Sequence, residues 1–437
     1  MLYPPELQGH LPIQSNSFHH DTINGRQNAN LEGLLFISLL PQGEWPGVGQ
    51  NRQPKANSAP EKGKGGLIKY YGIIIKTRII IMLKPQTSLK AVILVGGPGT
   101  RLQPLTHYTP KSMVPVLNKP FLEHTIAYLK KYGIENIILT LSYLPDAIEN
   151  YFGDGSEFGV QLTYCIENEP LGTAGAVKNA EQHLNSTFVA LNGDVFTDLD
   201  IADMLAFHRH NGAKATIALS RVDNPCAFGA VETDSDKRVE RFIEKPGPDC
   251  VTSDWINAGI YILEPEVLKL VPENSHYMLE NGLFPRLLEL GEPVYGYPFD
   301  GYWIDMGTPE KYHCLNCDLL LSKTSSPLAQ DLSRDGICCD KDVVIHPSAR
   351  MDGPIKIGSN TVISQRAYIK GPSVIGPDCH VGEDASIEQA TLWNSILVGA
   401  GTTLRQCVIV SNTSIEHHNQ ITSCVVTPDY SRTPLID

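Results

Sequence analysis

A six-residue repeat of apolar side chains in residues 341–425 is the feature that most limits how this chain can fold. A period of six is too long for the alternation of an ordinary strand, and it does not match the 3.6-residue turn of an α-helix. It predicts a parallel β-helix, in which each face of a triangular coil takes one hexapeptide and the apolar residue points inward. The small residues found four positions after most apolar ones suit its narrow corners. The phase slips by one residue twice, and the apolar positions are Ile345, Met351, Ile357, Ile363, Ile369, Ile375, Val381, Ile387, Trp393, then Val398, Leu404, Val410, then Ile415 and Ile421.

Residues 88–325 alternate between short apolar runs and longer runs with a helical period. Lys90–Val95 predicts a buried strand that ends in glycines, Lys119–Tyr132 predicts a helix, and Asn136–Leu141 predicts the next strand. Buried strands that alternate with helices are typical of an α/β domain with a mainly parallel sheet. Further strands are predicted at Phe188–Leu191, Ala215–Val222, Arg241–Ile243 and Ala258–Leu263.

The first 84 residues differ from the rest, because they are rich in Asn, Gln, Gly, Pro and Ser and show no sustained period. This composition predicts an N-terminal extension without regular structure. A second interpretation is that the extension is not translated, since Met82 stands a few residues before the first convincing strand.

The overall charge and the apolar pattern limit the partners. The 437 residues carry a net charge of −13, which disfavours non-specific binding to nucleic acid and to anionic membranes. No apolar run reaches the roughly 20 residues that a membrane span needs. The ten cysteines are irregularly spaced and do not form a secreted disulfide framework, so the expected compartment is the cytoplasm.

The most informative motif is the glycine-rich stretch that follows the first predicted strand, LVGGPGTRLQPLTHYTPKSMVPV at residues 94–116. Glycines at 96, 97 and 99 let the backbone turn sharply, so that consecutive N–H groups can face phosphate oxygens. The loop lacks the Gly-Lys-Ser/Thr of a P-loop and the third glycine of a dinucleotide fingerprint. Arg101 and Lys111 add two cations beside the loop, which suits a polyphosphate.

These residues resemble the sugar-1-phosphate nucleotidylyltransferase family, whose signature has the form GGxGTRLxPLT followed by PK; Pro98 is a minor departure. The resemblance covers about residues 88–425, and residues 94–97 and 118–120 are most similar to the mannose-1-phosphate guanylyltransferases. It implies a Rossmann-like, mainly parallel sheet in a nucleotidyltransferase domain (88–325), followed by a left-handed parallel β-helix of hexapeptide repeats (341–425). The implied reaction transfers a nucleotidyl group from a nucleoside triphosphate to a sugar-1-phosphate and releases pyrophosphate.

The same resemblance assigns roles to individual residues. Arg101 and Lys111 would be catalytic, and Asp194 and Asp305 would hold Mg²⁺, which takes few carboxylates and keeps phosphate oxygens and water as its other ligands. The sugar phosphate would be bound by Gly229, Glu244, Lys245 and Asn257. The nucleotide would be bound by Leu94, Gly96, Gly97, Gly99, Thr100, Glu167, Gly172 and Thr173.

Glu167 favours guanine as the base. The Watson–Crick edge of guanine offers two adjacent donors, and a carboxylate can accept both, whereas a Gln amide would suit uracil or thymine better. Glu169 is the alternative contact, and both carboxylates could instead face solvent.

Three other functions stay open at this level. The enzyme could transfer a thymidylyl or uridylyl group to glucose-1-phosphate, or its β-helix could also transfer an acetyl group with one of several histidines (His346, His380, His417 and His418) as the base. A non-catalytic nucleotide-sugar sensor is the third, although such a protein is expected to lose a charged site residue. The repetitive faces of the β-helix suit self-association, so a homo-oligomer is expected.

Overall fold

Short runs of β-branched and aliphatic residues form the strands of the first domain, and each helix packs an apolar face against them. The computed structural model describes residues 89–222, 228–244, 253–329 and 336–435. The predicted extension at 1–84 therefore lies outside the described residues. Among the described residues, no helix has the length and apolar character needed to cross a membrane.

The strands of the first domain are β1 (Lys90–Leu94), β2 (Pro115–Val116), β3 (Lys119–Pro120), β4 (Asn136–Leu141), β5 (Gln161–Ile166), β6 (Phe188–Asn192), β7 (Val195–Thr197), β8 (Ala215–Arg221), β9 (Gly229–Thr233), β10 (Val239–Glu244), β11 (Trp255–Leu263), β12 (Val294–Pro298) and β13 (Trp303–Asp305). Its helices are α1 (Phe121–Lys131), α2 (Pro145–Phe152), α3 (Gly172–Asn179), α4 (Ile201–His210), α5 (Phe284–Glu289) and α6 (Pro309–Leu320).

A nine-stranded sheet organises this domain. Strands β6, β1, β4 and β5 are parallel neighbours in that order, as the apolar runs predict. Strand β11 continues the sheet antiparallel to β6, and it carries β8 and β9 on its other side. The parallel part brings the carboxyl ends of four strands to one edge, which is where ligands bind in sheets of this type.

The helix predicted at Lys119–Tyr132 begins later, at Phe121. Lys119 and Pro120 instead pair with Pro115 and Val116 as the two strands of a tight hairpin. Its turn residues, Leu117 and Asn118, both adopt positive φ, as the right-handed twist of a two-residue hairpin requires. The residue pattern alone could not separate this short hairpin from the first turn of the helix.

The second domain is a parallel β-helix, as the repeat predicts. Its strands are β14 (Ile337–Cys339), β15 (Val344–Ile345), β16 (Arg350–Asp352), β17 (Ile355–Ile357), β18 (Val362–Ile363), β19 (Tyr368–Lys370), β20 (Ser373–Ile375), β21 (His380–Val381), β22 (Ser386–Glu388), β23 (Thr391–Leu392), β24 (Leu397–Val398), β25 (Thr403–Arg405), β26 (Val408–Ile409), β27 (Ser414–Ile415), β28 (Gln420–Thr422), β29 (Cys424–Val426) and β30 (Arg432–Pro434). Three sheets of seven, five and five strands run along its faces, and the last strand, β30, turns back antiparallel to β29.

The register of the coils corrects two of the predicted inward positions. Ile357 stacks on Ile375, 18 residues later, but Ile375 stacks on Leu392, only 17 residues later. The inward residue on this face is therefore Leu392 and not Trp393, because the coil has lost one residue after Ile387. The same shortening makes Ile409, rather than Val410, the next inward residue.

The two domains share one apolar cluster. It joins Leu102 and Leu105, which follow the glycine loop, to Met306, to the buried side of α6 and to the inside of the β-helix. The hairpin turn adds polar contacts, since Asn118 Nδ2 donates to the carbonyl of Ile375 at 2.9 Å. The β-helix therefore packs directly behind the phosphate-binding segment.

His124 makes the stability of this junction depend on pH. It is buried in α1, where its Nε2 contacts the carbonyl of Val116 at 2.9 Å and its Nδ1 contacts Ser326 Oγ at 2.8 Å. Burial, the largest influence, lowers the pKa of His124 from 6.5 to about 4. The unfolded chain therefore takes up a proton between about pH 6.5 and pH 4 that the folded chain refuses, so stability falls as the pH drops through this window.

We expect the His124 contribution to the free energy of unfolding, present in full above about pH 6.5, to lose about 3 kcal/mol by about pH 4. Urea unfolding at about pH 7 and about pH 4.5, compared between wild type and His124→Gln, measures it. The wild type should lose more stability than the variant over this interval. Equal losses in the two proteins would contradict the assignment.

Candidate active site

The glycine loop leaves β1 and wraps over the edge of the parallel sheet. Gly99 has a φ of +65°, a conformation that a residue with a Cβ rarely adopts. A Cβ on Gly96 would stand 2.8 Å from Ser142 Oγ, so the loop passes close to the end of β4. A Cβ on Gly97 would meet nothing within 4 Å, so Gly97 faces open space. The backbone of the loop is thus free for a ligand to approach.

A cavity of about 380 Å³ opens beside this loop. It lies at the carboxyl ends of β1, β4, β5 and β6, together with the start of α3 and the 3₁₀ segment Lys111–Met113. Its lining includes most of the predicted nucleotide-binding and metal-binding positions: Leu94, Gly96, Gly97, Lys111, Glu167, Gly172, Thr173 and Asp194.

Four predicted charged residues come together at this cavity. Lys111 Nζ lies 2.5 Å from Asp194 Oδ2 and 3.7 Å from Asp305 Oδ1. Arg101 Nη1 lies 3.7 Å from Asp305 Oδ2. Asp194 follows β6, and Asp305 ends β13, where it pairs with Val195 at the start of β7. Residues that are far apart in the sequence therefore form one cluster of two cations and two carboxylates.

Asp305 has the environment of a cation ligand. It is buried, and its Oδ1 has no hydrogen-bond partner in the described part of the chain. Burial, helped by the charge of Asp194, raises the pKa of the Asp305 carboxyl. An unpaired buried carboxylate oxygen costs free energy unless a cation compensates it. The described residues hold no cluster of three or more His, Cys, Asp and Glu that could bind a metal, so these two carboxylates fit Mg²⁺ held partly by phosphate oxygens.

Glu167 and Glu169 have different environments at the far end of the cavity. Glu167 is buried in the cavity wall, and its Oε2 accepts a hydrogen bond from the backbone N–H of Leu171 at 3.0 Å. Glu169 is exposed and does not line the cavity. Burial raises the pKa of Glu167, while the Leu171 N–H opposes this effect. Of the two carboxylates, Glu167 is the one placed to meet a base.

Thr173 uses its hydroxyl inside the protein. The hydroxyl donates to Glu280 Oε2 at 2.8 Å and accepts from the backbone N–H of Leu279 at 2.8 Å. The other Glu280 oxygen accepts from the hydroxyl of Tyr261 at 3.3 Å, and that hydroxyl in turn accepts from Asn257 Nδ2 at 2.8 Å. A buried chain of hydrogen bonds thus joins the start of α3 to β11. No motif in the sequence pointed to Glu280.

Three of the predicted sugar-phosphate residues lie on neighbouring strands. Gly229 begins β9 opposite Glu244 of β10, and Asn257 lies in an irregular part of β11 beside β9. Asn257 Oδ1 accepts from the backbone N–H of Gly259 at 3.0 Å. Lys245 lies outside the described residues, so the fifth predicted charge has no described position. Thr100 begins the 3₁₀ turn Thr100–Leu102 and is exposed.

Several cavity residues were not identified from the sequence. Ser112 Oγ and Asn192 Oδ1 are buried without a hydrogen-bond partner among the described residues, and both residues line the cavity. His276 and Met278 complete the wall near the start of α3. Ser112 directly follows Lys111 and Asn192 stands two residues before Asp194, so their place beside charged motif residues was the available signal.

Comparison with known protein families gives two matches along the chain. The model of the Nucleotidyl transferase family matches residues 90–322, and the model of the EIF2B subunit epsilon LbH domain matches residues 334–431. The first match covers the glycine loop, the cavity and the charged cluster. The second covers the β-helix.

Relatives of known function extend over both domains. A mannose-1-phosphate guanylyltransferase of Mycobacterium tuberculosis is 37% identical over 324 residues, which cover 74% of this chain and 83% of that protein. A mannose-1-phosphate guanyltransferase of Pichia angusta is 34% identical and covers 78% of this chain and 99% of its own length. A UTP–glucose-1-phosphate uridylyltransferase of Synechocystis is 34% identical, covering 75% of this chain and 90% of that protein.

Among solved structures, HddC from Yersinia pseudotuberculosis is 32% identical, with a TM-score of 0.47. The match covers 52% of this chain and 98% of that one.

Proposed function

Because the chain belongs to the nucleotidyl transferase family and is a sugar-1-phosphate nucleotidyltransferase, we propose that it transfers the guanylyl group of GTP to mannose-1-phosphate, forming GDP-mannose and pyrophosphate. Residues 88–325 would form the transferase domain and residues 341–425 the β-helix. The observation that carries the proposal is the convergence of Arg101, Lys111, Asp194 and Asp305 beside a glycine loop and a cavity.

The reaction needs no side-chain nucleophile. A phosphate oxygen of the sugar-1-phosphate attacks the α-phosphorus of the triphosphate in line with the leaving pyrophosphate. The work of the protein is to hold two anions that repel each other and to stabilise the charge that develops. The backbone N–H groups at Gly96 and Gly97 face the triphosphate, and Arg101 stabilises the pyrophosphate as it leaves. Lys111 holds a phosphate group at the reacting end.

A divalent metal ion is typical of this family, and we propose Mg²⁺. Asp194 and Asp305 would hold it, and its chemistry is to neutralise charge on the phosphate oxygens. Gly229, Glu244, Lys245 and Asn257 would bind the sugar phosphate, with Glu244 accepting from sugar hydroxyls and Lys245 neutralising the phosphate. We further propose that the protein forms a homo-oligomer through its β-helix, because repetitive outward faces suit self-association.

Pyrophosphate release measured over a panel of nucleoside triphosphates and sugar-1-phosphates, with Mg²⁺, tests the proposal. We expect GTP with mannose-1-phosphate to give the highest kcat/KM. The second candidate is uridylyl transfer to glucose-1-phosphate, favoured by the Synechocystis relative. Highest activity with UTP and glucose-1-phosphate would establish that candidate in place of the first.

Glu167 is expected to determine the base. Its buried carboxylate can accept both donors of guanine, whereas an amide in its place offers one acceptor and one donor. We expect Glu167→Gln to lower kcat/KM for GTP about tenfold or more, as the loss of a charged hydrogen bond would, with a smaller change for UTP. Competition between GTP and UTP in one reaction measures the ratio directly.

The matched control is Glu169→Gln, which changes an exposed carboxylate two residues away. It should keep the wild-type preference. An unchanged ratio of GTP to UTP in Glu167→Gln would remove this argument for guanine.

A further inference from the structure

The segment that carries Lys111 is short and depends on its neighbours for its position. Lys111 begins the 3₁₀ turn Lys111–Met113, which runs directly into the β2–β3 hairpin. The backbone N–H of Val114 donates to the carbonyl of Lys111 at 3.3 Å, and that of Phe121 donates to the carbonyl of Val114 at 3.0 Å. The hairpin and Lys111 are therefore tied together, so whatever holds the hairpin also holds Lys111.

Helix α6 holds the hairpin from behind. The hydroxyl of Tyr312 donates to the carbonyl of Pro115 at 2.6 Å. The backbone N–H of Leu117 donates to Asn316 Oδ1 at 2.9 Å, and Asn316 Nδ2 donates to the carbonyl of Tyr312 at 3.0 Å. Tyr312 and Asn316 are one turn apart on α6 and both are buried. These bonds satisfy polar groups of the hairpin that would otherwise be buried without partners.

The β-helix in turn fixes Tyr312. The indole Nε1–H of Trp393 donates to the hydroxyl of Tyr312 at 2.8 Å, and the two rings meet edge to face with centroids 6.2 Å apart. Since the hydroxyl accepts from Trp393, its own proton is left for Pro115. Trp393 is 4% exposed and stands one residue past the inward position of its coil, where it points to α6 instead of the β-helix interior.

We propose that the β-helix positions Lys111 for phosphate binding, through a relay from the indole of Trp393 to the hydroxyl of Tyr312 and on to the carbonyl of Pro115. Trp393 and Tyr312 are positioning residues, because neither lines the cavity. The inference rests on the proposed role of Lys111 in the transfer reaction. It gives the β-helix a part in catalysis besides self-association.

Two substitutions remove the relay and keep the packing. Tyr312→Phe deletes both hydrogen bonds, and Trp393→Phe deletes only the first. We expect kcat/KM for pyrophosphate release, measured with the best substrate pair of the panel, to fall about tenfold in Tyr312→Phe and about fivefold in Trp393→Phe. In a Lys111→Ala background the same substitutions should have little further effect, while in an Arg101→Ala background the losses should persist.

Thr391→Val is the matched control. Thr391 is buried two residues before Trp393 and meets α6 through His313, with Thr391 Oγ1 3.5 Å from His313 Nδ1, but this contact does not reach the hairpin. We expect Thr391→Val to lower the thermal midpoint about as much as Trp393→Phe does and to leave kcat/KM at the wild-type value. Losses of equal size in the Lys111→Ala background, or in Thr391→Val, would show that only general loosening is measured and would overturn the proposal.

A second measurement does not depend on turnover. The Lys111 side chain is only 12% exposed, since it is paired with Asp194. We expect amine acetylation of Lys111, followed by mass spectrometry, to become severalfold faster in Trp393→Phe and in Tyr312→Phe but not in Thr391→Val. Unchanged labelling in both relay variants would refute the positioning of Lys111. Failure of the whole substrate panel with this labelling pattern intact would instead count against the proposed function alone.

Discussion

Asp194→Ala is expected to lower kcat by about three orders of magnitude, because it removes one of the two carboxylates that would hold the metal. Folding should survive. The fold uses the backbone of Asp194, whose carbonyl accepts from the N–H of Met306 at 2.9 Å, and not its side chain. Lys111 keeps a partner, since Asp305 Oδ1 lies 3.7 Å from its Nζ. Initial rates of pyrophosphate release over a range of Mg²⁺ concentrations, with thermal unfolding of the same samples, measure both effects.

The control for this variant is Asp203→Ala, which removes an exposed carboxylate on α4 outside the cavity. It should turn over as the wild type does. Asp194→Ala should also need a higher Mg²⁺ concentration for half of its residual rate. A well-folded Asp194→Ala protein with near-normal kcat would exclude Asp194 from the metal site.

Arg101→Ala is expected to lower kcat/KM by about two to three orders of magnitude, because the guanidinium would stabilise the leaving pyrophosphate. The side chain is 66% exposed, and its ion pair with Asp305 spans 3.7 Å. Such exposed pairs contribute little to stability, about 1 kcal/mol at most. The thermal midpoint should therefore stay near that of the wild type while turnover collapses.

Arg101→Lys separates charge from geometry. It keeps the positive charge and loses the planar fork that matches two phosphate oxygens, so an intermediate rate is expected. Tyr108→Ala is a matched control in the following turn, since Tyr108 is 89% exposed and lies outside the cavity wall. Equal rates for Arg101→Ala and wild type, with both proteins folded, would remove Arg101 from the mechanism.

The parts of the fold that follow local patterns could be predicted from the sequence. The strand at residues 90–94, the glycine loop after it and the six-residue repeat each depend on the spacing of side chains along a single segment. The antiparallel extension around β8, β9 and β11 has no such local signal, because its strands resemble buried parallel ones. Its pairing follows from the chain topology and not from periodicity.

Motif residues and contact residues differ in the same way. Asp194 and Asp305 stand in recognisable motifs, so the sequence alone leads one to expect their approach to Lys111. Glu280 and Trp393 act through partners far away in the sequence, and their own segments give no hint of those partners. The inward position predicted for Trp393 is wrong because the period of six continues one step beyond the place where the coil shortens.

That missing residue ties the length of a repeat to the chemistry of a distant loop. In a surface connection one inserted residue is usually tolerated. Inserted between Ile387 and Leu392, it would restore the 18-residue coil and turn Trp393 inward, away from Tyr312. Insertions and deletions in this one coil should therefore be selected against as strongly as changes in the glycine loop itself.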